Sequence, residues 1–265
     1  MTVLRINPDG PVPTIELPEL FSLLRLGVNY ETVSVDREAN QWNGELTWAE
    51  TLDAAQFGQW NAPKIDALTL PDMQADSEET RYFYDVTGQS LDVAAFVSGE
   101  PEYWLESEIV NKPCGQIFRL SVEIGGPGTI PELNLRNRGA AIIALVNSLE
   151  LAGHSVEVTL VRSCMNKRNE KYNFLVPAKH AGQMLDMRRL QFMIGHPAFY
   201  RRVFFALIEF AQGCSLSKCV TYTTSYKPEG FTAHFSWADG LAETLTESMG
   251  WAKEFARSLT TNATN

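Results

Sequence analysis

The strongest constraint on the fold lies between residues 116 and 161, where two strand-like alternations flank one helical segment. Residues 116–124, QIFRLSVEI, alternate Phe118, Leu120, Val122 and Ile124 with Arg119, Ser121 and Glu123, the period of a half-buried strand. Gly125-Gly126-Pro127-Gly128 stops it. Residues 136–153, RNRGAAIIALVNSLELAG, then place Ile142, Leu145, Val146 and Leu149 at helical spacing and end at Gly153, a residue suited to the position just past a helix. Residues 156–161, VEVTLV, read as a second strand. Strand, helix and strand with short links predict a βαβ unit, with a right-handed crossover and parallel pairing. Downstream, the pattern predicts a strand over 172–176, helices over 184–194 and 197–212, and a strand over 219–226. An amphipathic helix over 237–259, interrupted at Gly250, closes the chain. The expected fold class is α/β, a βαβ-containing core with a mixed sheet flanked by helices.

Upstream the signals differ. Pro8, Pro11, Pro13 and Pro18 make the first 20 residues an extended arm. Thr47 and Glu50 have capping-box spacing, which predicts a short helix from about Trp48. Residues 71–80, PDMQADSEET, form the best linker candidate. The expected organisation is therefore an acidic N-terminal arm or subdomain over 1–80 and an α/β core domain over 81–265.

Charge is sharply segregated. Residues 1–110 carry 5 basic and 20 acidic side chains, residues 111–205 carry 13 and 6, and residues 206–265 carry 4 and 6. Arg162, Lys167, Arg168, Lys171, Lys179, Arg188, Arg189, Arg201 and Arg202 meet only Glu170 and Asp186 between 162 and 202. Such a block is the electrostatic footprint of a polyanion-binding surface. The alternative is neutralisation of the basic block by the acidic part, within one molecule or across a dimer.

The motifs of common catalysts are missing. His154, His180, His196 and His234 are dispersed, and Cys214 with Cys219 lacks a second ligand pair at zinc spacing. No Gly-x-Ser-x-Gly elbow or Walker-type loop occurs. The 125–128 glycines depart from G-x-G-x-x-G, although helix amides with Arg136 and Arg138 could still hold a nucleotide there. The same loop lacks the Asp-x-Ser-x-Ser of von Willebrand-type metal sites. No catalytic residue, metal or cofactor is expected. With 45% apolar and 20% charged residues the chain is not disordered, and no apolar run reaches the ~18 residues of a membrane span. Four dispersed cysteines and an N-terminus without a secretory pattern fit a soluble protein of the cytoplasm.

Sequence-tolerant nucleic-acid binding needs cations that track phosphates and aromatic faces on which bases stack. Arg162, Asn166, Lys167, Arg168 and Lys171 run directly into Tyr172, while Arg188-Arg189 precedes Phe192 and Phe199-Tyr200 abuts Arg201. These residues are the candidate interface, with residues 162–172 at its centre. The stripe Phe199, Val203, Phe204, Leu207 and Ile208 argues that several nearby aromatics pack in the core instead.

Three ordered segments resemble a family of uncharacterised proteins from tailed phages, plasmids and actinobacteria. They are Asp92-Val93-x-x-Phe96-x-x-Gly99-Glu100-Pro101-Glu102, then Arg138-Gly139-x-Ala141-x-x-Ala144-Leu145-Val146-x-x-Leu149-Glu150-x-x-Gly153-His154-x-Val156-Glu157, and His196-Pro197-Ala198-x-x-Arg201-Arg202. The resemblance covers about half the chain, leaves out the first 80 residues, and implies a mobile-element origin and the α/β core. In size and character the chain is also similar to the single-stranded-DNA-binding cofactors that lytic podophages use with their own RNA polymerase. The expected function is non-catalytic binding of nucleic acid, preferably single-stranded DNA, as a replication or transcription accessory factor and a possible homo-oligomer. The acidic segment would deter indiscriminate binding or recruit a protein such as a polymerase. The alternative is a protein–protein module whose acidic region mimics DNA.

Overall fold

A computed structural model describes residues 11–27, 44–61, 70, 77–112, 115–165, 169–212 and 222–263. The βαβ prediction holds. Strand β4 (Ile117–Glu123) and strand β5 (Ser155–Met165) pair in parallel, joined by helix α4 (Glu132–Leu151). Gly153, at φ 85°, makes the left-handed turn between helix and strand. Strand β6 (Lys171–Lys179) returns antiparallel to β5, and β8 (Ala233–Phe235) lies parallel to β4 on its other side. The order is β6-β5-β4-β8, with the two-residue β7 (Tyr222–Thr223) added to the end of β5. The sheet is thus mixed, and the fold is α/β.

Helix α4 is the axle of the core. Thirteen of its twenty residues are buried, because α5 (Met187–Gly195) and α7 (Leu245–Ala263) pack against it as it crosses the sheet. Its small residues permit this: a Cβ on Gly139 would stand 2.5 Å from the Cα of Gly195 in α5. That distance is far inside van der Waals contact, so the two backbones meet there with no side chain between them. After α5, Pro197 opens a helical run whose middle, Phe199–Phe204, is π-helical and continues into α6 (Phe205–Gln212).

Several expectations change. Residues 13–15 pair with Leu175 of β6, and α1 (Leu17–Gly27) buries Leu17, Leu20, Phe21 and Leu24 in the same core as β4–β6. The described N-terminal residues are therefore core elements and not an arm; α1's apolar face outweighed the proline signal. Helix α2 (Trp48–Phe57) starts as predicted: the Glu50 N–H donates to Thr47 Oγ1 and the Thr47 N–H to Glu50 Oε2. Residues 77–80 of the expected linker belong to strand β1 (Ser77–Asp85), and 71–76 lie outside the described residues. Strand β1 pairs with β3 (Trp104–Lys112), which also holds β2 (Ser90–Leu91), and α3 (Val93–Ser98) connects β2 to β3. This second, three-stranded sheet was not anticipated. Of the strand expected over 219–226, residues 222–223 form β7 and 219–221 lie outside the described residues. Gly250 does not interrupt α7, which runs continuously from Leu245.

The two helix glycines make opposite predictions. Gly139→Ala should destabilise the protein by about 1–3 kcal/mol through overpacking at the α4–α5 crossing. Gly250 is exposed in α7 with open space around it, so Gly250→Ala should stabilise by about 0.5–1 kcal/mol. Urea unfolding midpoints of the two variants check both signs.

Candidate nucleic-acid interface

The candidate residues divide by which side of the backbone they occupy. Lys171 opens β6 and is exposed, and the neighbouring Asn169 is exposed in the left-handed region at φ 62°. Asn166, Lys167 and Arg168, between β5 and β6, lie outside the described residues. Tyr172 is only 7% exposed, and its hydroxyl donates to a Glu170 carboxylate oxygen at 3.1 Å. The ring thus roots the hairpin in the core and offers no open face to a base.

Arg162 and Arg201 are 1% and 3% exposed. The Arg162 guanidinium lies over the Phe205 ring at 5.7 Å and donates long hydrogen bonds to Thr223 Oγ1 at 3.4 and 3.5 Å. A Cβ on Gly125 would run into its Nη1, so the glycine-rich loop makes room for this side chain. Arg201 Nε donates to the Tyr200 hydroxyl at 2.5 Å, and Nη2 donates to the carbonyls of Gly128 and Ile130. Arg202 is buried as well. Arg189 is half-buried; its Nε donates to the Ala55 carbonyl and its guanidinium lies over Phe21. Arg188 is exposed.

These cations do not share one outer surface. Arg189 borders the same notch as Ala178 and Lys179 at the far end of β6, whereas Lys171 begins that strand. Nine strand residues separate the two ends by roughly 26 Å. The expectation of a single exposed basic face is corrected: among its described members, Arg162, Lys179, Arg201 and Arg202 turn inward. Arg201 and Arg202 sit in the same π-helical turn as the buried Phe199 and Phe204 and are drawn in with them, while Arg162 of β5 faces the Phe205 ring.

Sequence reasoning placed Arg138 beside the 125–128 loop as a nucleotide contact and missed the buried Glu123 and the polar cluster both belong to. It sits at the carboxyl ends of β4 and β8, the place where open α/β sheets take ligands. Arg138 of α4, 2% exposed, donates from Nε to the Asp239 carbonyl and from Nη2 to the carbonyls of Glu123 and Ser236. One buried guanidinium thereby ties α4 to the ends of both strands. Burial pushes its pKa down to about 10, and it keeps its charge at neutral pH. Glu123 is fully buried; Oε2 accepts from the Ser225 hydroxyl and the Trp237 N–H, while Oε1 has no hydrogen-bond partner. Burial raises its pKa, against the opposing pull of those hydrogen bonds and of Arg162 and Arg138. The available signal was an acid at a strand end two residues before Gly125-Gly126-Pro127-Gly128, hidden because alternation marks Glu123 as a solvent-facing position. No group of three or more His, Cys, Asp or Glu side chains that could hold a metal occurs among the described residues. No helix among them is long and apolar enough to cross a membrane.

The segments that carry the sequence resemblance act in the architecture. Asp92 caps α3 by accepting from the Ala94 and Ala95 N–H groups, and Gly99 ends that helix in the left-handed region. Arg138 and Gly139 serve the strand ends and the α4–α5 crossing. His196 follows α5: its Nδ1 accepts from the Ala198 N–H at 3.2 Å, and its ring stacks on Phe192. Burial, with Arg136 beside it, lowers the His196 pKa to about 3, so the ring is neutral.

The unfolded chain takes up that proton near pH 6.5, whereas the folded one resists it until about pH 3. His196 therefore supports stability above pH 6.5 and withdraws that support as pH falls, with a slope of at most about 1.4 kcal/mol per unit. Relative to the parent chain, His196→Gln should lose less stability between pH 7 and pH 4; parallel slopes in urea titrations would contradict this.

No curated protein and no solved structure matches the chain. A family described as "Domain of unknown function (DUF7192)" matches residues 28–249, beginning well upstream of the segments that carry the sequence resemblance. With α2, both sheets and the Arg138 cluster all inside that span, the chain belongs to this family of unknown function.

Proposed function

We propose that the protein binds single-stranded nucleic acid without catalysis, at the turn between β5 and β6, as an accessory factor in replication or transcription of a phage or other mobile element. The observation that carries this reading is the exposed Lys171 and Asn169 at the root of a turn whose sequence supplies Asn166, Lys167 and Arg168. The turn's one acid, Glu170, receives the Tyr172 hydroxyl. Three cations within five residues of sequence suit phosphates, and the asparagines can donate to phosphate or base edges.

The footprint is small, since Arg162, Tyr172 and Arg201 are withdrawn into the core. Affinity is accordingly modest and salt-sensitive. That same withdrawal favours the rival reading, a module that binds protein only.

Fluorescence anisotropy of labelled single-stranded and duplex oligonucleotides over a salt series tests the proposal. Three phosphate contacts give a slope of log affinity against log salt near about −2 for a single strand. Changing Lys167, Arg168 and Lys171 together to Ala should abolish the signal for every sequence alike, whereas Arg188→Ala should leave it intact. No shift at low salt, or full binding by the triple variant, rejects the proposal and leaves the protein-binding reading.

A further inference from the structure

The sheet formed by β1, β2 and β3 stands apart in its chemistry. Between residues 82 and 107 no side chain is buried. Tyr82 is 64% exposed and Val97 78%, and Phe83, Tyr84, Leu91, Val93 and Phe96 are exposed as well. Pairing of Tyr82 with Ser107, Phe83 with Glu106 and Tyr84 with Leu105 puts apolar side chains on both faces of a single layer. A sheet usually buries at least one face against another layer. Contiguous apolar surface of this kind marks an interaction site.

Charge decides what can cover it. Residues 82–107 contain Asp85, Asp92, Glu100, Glu102 and Glu106, and no Lys, Arg or His. Neither a polyanion nor a second acidic sheet suits such a surface. A depression of about 410 Å³ is lined by Tyr84, Ala95, Glu100, Pro101 and Glu102. It offers an aromatic ring and two carboxylates to one long cationic side chain. The Tyr84 hydroxyl donates to Asp92 Oδ2 at 2.8 Å, which holds that ring in place against α3.

We infer that this sheet is the docking surface for a protein partner presenting a basic segment, with apolar side chains on the sheet and one Lys or Arg in the Tyr84–Glu100–Glu102 depression. The surface is separate from the β5–β6 turn and independent of what that turn binds.

The full chain is titrated with three labelled twelve-residue peptides: Lys alternating with Val and Leu, the same peptide with every Lys acetylated, and its Glu counterpart. The Lys peptide should bind, the other two should bind at least about tenfold more weakly, and Glu100→Gln with Glu102→Gln should cost a similar factor. Acetylation leaves the protein untouched, so a variant that misfolds does not remove the test. The Ala variant of Lys167, Arg168 and Lys171 should bind the Lys peptide normally, which separates this site from the turn. Equal binding of Lys and acetyl-Lys peptides, or no binding, overturns the inference. So does a dimer in sedimentation that Phe96→Ser with Val97→Ser dissolves, which assigns the surface to a second copy. Single-stranded DNA binding lost on Tyr82→Ser with Phe83→Ser assigns it to nucleic acid and overturns the inference equally.

Discussion

The architecture depends on a helix buried on several sides and held by one of its own charges. Helix α4 can lie between the sheet, α5 and α7 because Gly139 removes a side chain at the tightest crossing. Its neighbour Arg138 donates to the buried Glu123 carbonyl at the end of β4 and to the carbonyls of Ser236 and Asp239 just after β8. Adjacent residues thus solve the two problems that burial creates: room for the backbone and partners for polar groups. Isolated buried charge is costly, but a guanidinium spread over fixed carbonyls is compensated where it stands.

That economy extends to the other arginines. Arg162 occupies the space left by Gly125, and Arg201 holds the carbonyls of Gly128 and Ile130. Among the described residues, Arg138, Arg162 and Arg201 thus place their guanidinium groups around the strand end of β4 and the loop after it. The two proposed binding regions differ in sign: the sequence between β5 and β6 is cationic, and the aromatic sheet before β4 is acidic.

Legibility followed the range of the interactions. The βαβ unit and the Thr47 capping box are set by near neighbours, and their residue patterns announce them, whereas the antiparallel return of β6 onto β5 was not read from the sequence. Strand β8 is three residues long and owes its existence to the edge of β4, more than a hundred positions away. The sheet of β1–β3 carries aromatic residues on both faces, so no alternation of polar and apolar side chains betrays it. At the candidate interface, composition pointed to Arg162, Tyr172 and Arg201 as readily as to Lys171, because a count of charges is blind to which way a side chain faces.

Period, caps and turn residues were enough by themselves to establish an α/β chain with parallel β4 and β5, since those signals reflect local backbone sterics and the periodic burial of one face. Tertiary structure alone decided that Arg162, Lys179, Arg201 and Arg202 of the basic block are interior and that Pro11 and Pro13 lead into core helix α1. It alone exposed the acidic sheet. Burial of a charge depends on whether distant carbonyls and aromatic rings arrive to compensate it, and that arrival is a property of packing, invisible in the order of residues.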